Sequence, residues 1–359
     1  MDTPYGHVIA GVDLPGHLGQ IANAVEQRFS AAAKTFRETH SIVPPISISI
    51  VENDDLDAVA EFNSSGYRIL LFSGLLKAVY DTAFALLADP DVLVCVGKRA
   101  EPRGANIPAV RSYYRALLGD GYRGVVAELR GQADQPDRFP FIQPGDPERI
   151  SYALGLGNLA IEYIVEHEFA HIRAGHCDYL VTLGLTSACH ETLRPDFDEE
   201  RARLNRSIEW HADTVAARSV GMLLIKRRAM LQNINAVFTD GTSHLGAWAL
   251  ATMLVFRVLG GDLDQGIGDT TARSHPHPLL RAIKLRLATE ELIDRKDPEL
   301  KSTWVKCYEE MVRELSNVNE LIQSDLFPVE PHASEIGGVF ETLETDMAQL
   351  MPRLTFLTN

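Results

Sequence analysis

Residues 167–176 read HEFAHIRAGH. His167 and His171 stand four apart, so on a helix they lie one turn apart on one face, where both imidazoles can reach a single ion. Glu168 sits beside the first histidine. It can approach a water on that ion without being a ligand and can accept the water's proton. The chemistry is hydrolysis, in which a metal lowers the pKa of the water and the carboxylate acts as general base. The plain alternative is two histidines satisfied inside a packed helix, so the surroundings must decide.

A catalytic zinc needs a third protein ligand and an open position. The pattern H-E-x-x-H-x-x-G-x-x-H does not supply it, because its glycine position is Ala174 and its last position is Cys177. His176 is one residue off and would point away from the His167/His171 face if the helix continued. Further on, residues 209–213 read EWHAD. Glu209 and Asp213 again share one helical face, so Glu209 can be the third ligand from a second helix. Asp213 can then hold a ligand histidine by its far ring nitrogen, which fixes the tautomer. Trp210, Ala212, Val215, Ala216 and Ala217 surround this pair with apolar groups, and buried acids need partners. His211 points off that face and reads as a local hydrogen-bonding residue. A third stretch, SHPHPLLRAIKL at 274–285, opens a helix. There His275 could donate to the oxyanion of a tetrahedral intermediate, and Arg281 could hold Asp213 or the developing charge. Two histidines and a glutamate favour one Zn2+ per chain.

The elements that must position these groups are legible in part. Ile21, Val25, Phe29, Ala32 and Phe36 make one apolar face of a helix over 17–39. Pro44-Pro45 ends that segment, and ISISIV at 46–51 alternates as a strand with Ile46, Ile48 and Ile50 inward. A polar, acidic helix or loop is expected over 52–62. NSSGYRILLFSGLL at 63–76 reads as a turn, a strand over Tyr67–Phe72, and a helix from Ser73 to about Leu87. Residues 97–149, rich in Gly, Pro and Arg, read as a long insertion, partly helical at 108–130. It either shapes a substrate entrance or is a surface excursion without a role. The HEFAH helix spans 148–174, with Pro147 in its first turn and Gly175 at its end. Helices follow over 198–220, 222–235 and 243–260, and another starts near Pro278 after a glycine-rich turn. In the tail from 298, Trp304, Cys307, Met311, Leu315, Val318 and Ile322 recur at helical spacing and read as packing.

Composition narrows the function classes. The chain has 359 residues, 45% hydrophobic and 23% charged, which is ordinary for a globular protein with a sizeable core. Its net charge of −15 would repel phosphate backbones, so general nucleic-acid binding is not expected. Cys95, Cys177, Cys189 and Cys307 form no C-x-x-C pair and fit a reducing compartment. The N-terminus has early acids and no basic segment before an apolar run, so no signal peptide is read. The longest apolar stretch, 245–260, is shorter than a membrane span and contains Arg257, so it reads as a buried helix.

The order HEFAH, EWHAD, SHPHPLLR resembles the gluzincin metallopeptidases, in particular the group containing the CAAX-prenyl protease and the bacterial heat-shock membrane protease. Those families show H-E-x-x-H, E-x-x-A-D and a late histidine–proline motif with a downstream arginine, matched here by His275 and Arg281. Asn63, Gly66, Ile69, Gly74, Leu75 and Leu76 follow the family's upstream segment closely. The resemblance spans about residues 45–290 and leaves the 90–149 insertion without a counterpart. It implies Glu168 as base, His167, His171 and Glu209 as ligands, and Tyr67–Phe72 as an edge strand along which a peptide lies. The best-known members are integral membrane proteins, and this chain has no convincing span, so it is more like a soluble, cytoplasmic branch. The soluble phage-exclusion peptidases of the Lit type have a related motif.

The expectation is an α+β, mostly helical, zincin-like fold with a small sheet whose edge strand borders the active-site helix. The chain would comprise an N-terminal helical segment (1–45), a peptidase domain (46–290) with its insertion at about 90–149, and a C-terminal helical tail (291–359). The function would be a soluble zinc-dependent endopeptidase acting on protein or peptide. The alternatives are a regulatory or pseudo-peptidase zinc module, including one of phage-defence type, and a non-peptidic metal hydrolase. The insertion or the tail could gate the cleft, and nothing in the sequence sets the oligomeric state.

Overall fold

The computed structural model describes residues 2–9, 16–39, 44–119, 142–185, 188–190, 198–228, 241–260, 275–322 and 333–354. Two short strands, β1 (Asp2–Thr3) and β2 (Gly6–Ile9), precede helix α1 (Gly16–Thr39). Strands β3 (Ile46–Glu52), β4 (Ala58–Asn63) and β5 (Gly66–Phe72) follow, then helices α2 (Ser73–Ala88) and α3 (Ile107–Gly119). The long helix α4 (Pro147–Arg173) leads into a short α5 (His176–Thr182) and strand β6 (Ala188–His190). The rest is helical: α6 (Glu199–Arg228), α7 (Gly241–Gly260), α8 (Pro278–Lys296), α9 (Pro298–Ile322) and α10 (Ala333–Leu350). The fold is therefore α+β and mostly helical, with one small mixed sheet.

The strands lie in the order β1-β2-β3-β5-β4-β6. Only β3 and β5 are parallel, in the register Ile48 to Ile69. Alternation sorts the side chains between two faces. Ile48, Ile50, Ala58, Ala60, Ile69 and Leu71 enter the main helical core. Val51, Val59, Leu70, Phe72 and Ala188 form a smaller cluster on the other face, with Tyr5 and Val8 against it.

Two expectations about the sheet are corrected. Within 52–62, read as a polar helix or loop, residues 58–62 belong to strand β4. Four acids in 52–57 give the stretch its polar look, while Ala58, Val59 and Ala60 are wholly buried. Because β4 exists, Tyr67–Phe72 is not at the edge: β3 flanks it on one side and β4 on the other. The edge next to β4 is β6, paired antiparallel as Val59 to His190 and Ala60 to Cys189.

The helices pack in layers on the sheet. Helix α4 lies against β4 and β5 and is enclosed by α2, α6 and α7. Helix α1 packs on β3 and reaches α4 through an edge-on contact of Phe36 with Phe169, ring centroids 5.1 Å apart. A third correction concerns α6, which continues through Gly221 where a break between two helices is expected. The continuous main core includes residues from Ile9 to Leu354 and so draws on the N-terminal segment, the central region and the tail alike. The predicted stripe on α9 is buried in it. No helix among the described residues is long and apolar enough to cross a membrane. The 120–141 part of the insertion, the 229–235 part of a predicted helix and the glycine-rich turn through Ser274 lie outside the described residues.

Candidate metal centre

Helix α4 begins with a strong cap. The Asp146 carboxylate accepts from the backbone N–H groups of Glu148 and Arg149, and Pro147 occupies the first turn. From this fixed start the helix carries Tyr163, His167 and His171 inward at four-residue steps. Helix α6 is capped likewise, Asp198 accepting from Glu200 N–H at 3.0 Å, and it presents Glu209 and Asp213 one turn apart toward α4.

The three expected ligands converge. His167 Nε2 and His171 Nε2 are 3.0 Å apart. His167 Nε2 lies 3.0 Å from Glu209 Oε2, and His171 Nε2 lies 3.6 Å from Glu209 Oε1. Four-coordinate zinc with bonds of about 2.0–2.1 Å separates its ligand atoms by about 3.3 Å. The observed spacings bracket that value, so the triad fits a single small cation. These residues are the His/Glu group able to hold a metal ion among the described residues, and all three are buried.

Behind the ligands stands a second layer. Asp213 Oδ1 lies 3.0 Å from His167 Nδ1 and accepts from the Tyr163 hydroxyl at 2.6 Å. Arg281 of α8 donates to both Asp213 oxygens, Nε at 2.8 Å and Nη2 at 2.9 Å. Of its two possible roles, the geometry gives Arg281 the one of holding Asp213. The guanidinium also sits 4.9 Å over the Phe256 ring, and Tyr163 meets Trp248 and Phe256 edge-on. The apolar stretch of α7 is thus the dry wall behind the Asp213–Arg281 pair, where a bidentate pair is strong.

The segment opening α8 divides its histidines. His277 caps the helix, its Nδ1 accepting from Leu279 N–H at 3.2 Å. His275 faces the site, with Nε2 3.6 Å from Glu209 Oε2 and 2.6 Å from the His190 carbonyl of β6. His275 is thus beside the ligands without belonging to their cluster. His190 in turn lies 3.1 Å from Asp57 through its own Nδ1, and its ring packs edge-on against Tyr5. The sheet edge is therefore tied to the site through one backbone carbonyl.

Electrostatics keep Glu209 and Asp213 ionised. Burial opposes ionisation of Glu209, but the surrounding His275, His171 and His167 outweigh it and hold the carboxyl well below its usual range. For Asp213 burial is likewise opposed, chiefly by Arg281 and then by His167, and its carboxyl is also held low. Glu168 is wholly buried beside them. An ionised Glu209 is the form of the carboxyl that can ligate a cation.

His176 is a residue the sequence reading left out of the site. Helix α4 does not continue past Ala174. Gly175 takes a left-handed conformation, φ 72°, and starts α5, which swings His176 back against the ligands. His176 Nδ1 lies 3.0 Å from His171 Nδ1, and its Nε2 lies 3.0 Å from His211 Nδ1. His211, off the ligand face as expected, is the local hydrogen-bonding partner of His176. Cys177 is turned away, its thiol directed to the Ala60 carbonyl at 3.7 Å. The neighbouring Cys189 thiol is pushed well up by its contact with Cys177 and by burial. Sequence reasoning also missed Tyr163 and His190. Tyr163 carries a signal, its position one turn before His167 on the same face, whereas His190 acts through its backbone and has none.

Comparison of the chain with protein families, curated proteins and solved structures gives no match.

Proposed function

We propose that the protein is a zinc-dependent endopeptidase with a zincin-like site of the gluzincin kind, working on protein or peptide substrates in the cytoplasm. The observation that carries this reading is the convergence of His167, His171 and Glu209 at tetrahedral ligand spacing, with Glu168 buried at the next position along the same helix. Four free cysteines agree with a reducing compartment. Zinc, when bound, supplies a Lewis acid and lowers the pKa of water. Glu168 accepts the proton of the attacking water and returns it to the departing amine. His275, adjacent to Glu209, donates to the developing oxyanion when its Nε2–H leaves the His190 carbonyl. Asp213, locked by Arg281 and Tyr163, keeps His167 in the tautomer whose Nε2 lone pair faces the ion. An extended peptide meets this centre from β6, the sheet edge whose His190 carbonyl contacts His275.

One observation favours a second reading. All the ligands, Glu168 and His275 are buried to within a few per cent, as in a closed structural site. In that case the ion organises the fold and no substrate reaches it.

The test is metal content by plasma mass spectrometry on the wild type and Glu209→Ala, with cleavage of casein and a peptide library in parallel. About one zinc per wild-type chain, lost in the variant, is expected. Cleavage that disappears in a zinc-replete Glu168→Gln, a loss on the order of 10²–10⁴-fold, supports the peptidase. Zinc at full occupancy with no cleavage of any substrate supports the structural reading. A well-folded wild type that takes up no added zinc overturns both.

A further inference from the structure

The two ligand histidines are backed differently. His167 has a carboxylate behind it, whereas His171 has an imidazole, His176, which itself leans on a third imidazole, His211. All three of these rings are buried. Each contact is a nitrogen–nitrogen pair at 3.0 Å, so each holds a single proton if the rings are neutral.

Only one assignment of those protons suits a metal. For His171 to offer the Nε2 lone pair, its proton must be on Nδ1, donated to His176 Nδ1. His176 must then carry its own proton on Nε2 and donate it to His211 Nδ1, which leaves the His211 proton on Nε2. The three rings donate in series, every dipole pointing away from the ion.

We propose that His176 and His211 are positioning residues for the metal, an imidazole chain that fixes the tautomer and ring orientation of His171. The inference rests on the zinc reading above and adds two residues that the HEFAH and EWHAD ligand pattern does not assign.

The experiment measures zinc affinity by competition with a chromophoric chelator for the wild type, His176→Leu and His176→Asn. Asparagine places an acceptor oxygen where His176 has Nδ1, and leucine places none. Loss of such a partner costs about 10–100-fold in metal affinity. His176→Leu is expected to fall by that factor, and His176→Asn to recover most of it. In parallel, ¹⁵N-histidine spectra of the zinc-loaded wild type need no variant to fold. They should show His171 protonated at Nδ1, and His176 and His211 at Nε2. A folded His176→Leu with wild-type affinity overturns this inference alone, as does His176 protonated at Nδ1. A wild type that binds no zinc overturns the metal centre itself, and this inference with it.

Discussion

Asp213 shows how a single residue fixes the chemistry of this site. It touches no ion in the proposed arrangement, yet it holds His167, Arg281 and the Tyr163 hydroxyl at once. Removing its guanidinium leaves a buried carboxylate with two weaker partners, and uncompensated buried charges cost about 3–5 kcal/mol. Arg281→Met is therefore expected to lose about that much stability in urea denaturation at pH 7.5. A loss under about 1 kcal/mol would mean that the pair contributes little net stability. The sign of the pH effect follows from the depressed carboxyl. Its contribution is present above the ordinary aspartate range and disappears as pH falls toward the folded value, so the gap between wild type and variant should narrow in strong acid. Tyr163→Phe removes one donor to a charged carboxylate at 2.6 Å and should cost about 1.5–3 kcal/mol. Asp213 and Arg281 were legible because residue type and spacing alone suggested them. Tyr163 was not, since a tyrosine on an apolar helix face is ordinary packing until its hydroxyl finds a carboxylate. His176 escaped because Gly175, legible as a helix end, does not by itself say where the chain turns next, and its left-handed conformation brings the following ring back to the site.

At the scale of elements, the misreadings share a cause: small residues carry little periodic signal but permit close approach. Ala58 and Ala60 make β4 look weak, yet they let α4 lie close on the sheet, and β4 covers the strand that the resemblance puts at an edge. Gly221 reads as a helix break, but α6 runs through it, and a Cβ there would stand 2.7 Å from Leu292 Cδ2 of α8. Gly157 does the same between α4 and α2, where a Cβ would lie 2.4 Å from the Tyr80 ring. Gly157→Ala must displace that ring and strain its 2.7 Å hydrogen bond to Asn158, so a loss of about 1–3 kcal/mol is expected by thermal unfolding. Arg149, one turn into α4, has a larger role that no motif announces. Its guanidinium donates to the carbonyls of Leu87, Asp89, Val92, Leu93 and Val96, closing the C-terminal end of α2 and the turn beyond it. Arg149→Leu removes a donor from five carbonyl oxygens at once, of which Asp89 and Leu93 keep a backbone partner. Global stability should fall by about 3 kcal/mol or more, and amide exchange over residues 92–97 should accelerate well beyond that of the sheet. Uniform exchange would show that the turn holds itself.

For the molecule as a whole, buried imidazoles set the response to acid. Burial brings both His211 and His244 down to about 4, while the unfolded chain titrates them near 6.5. Between those values the unfolded state binds more protons than the folded one. Stability therefore rises with pH across the window and is lost as pH falls from about 6.5 toward 4. Zinc adds to the slope, because His167 and His171 must be deprotonated to bind it. These two sources separate experimentally. His244 on α7 belongs to neither the ligand set nor the His171–His176–His211 chain, so replacing it leaves the metal-linked part in place. His244→Leu changes core packing too, which shifts stability by a similar amount at every pH and cancels in a difference. The quantity to compare is the drop in unfolding free energy between pH 7.5 and pH 5, measured with zinc chelated. One buried histidine contributes about 2 kcal/mol of that drop, from one and a half pH units at about 1.4 kcal/mol each. The variant should lose less than the wild type by that amount. An identical drop in the two proteins would mean that His244 keeps its proton equilibrium on folding, and the acid response would then belong to the site alone.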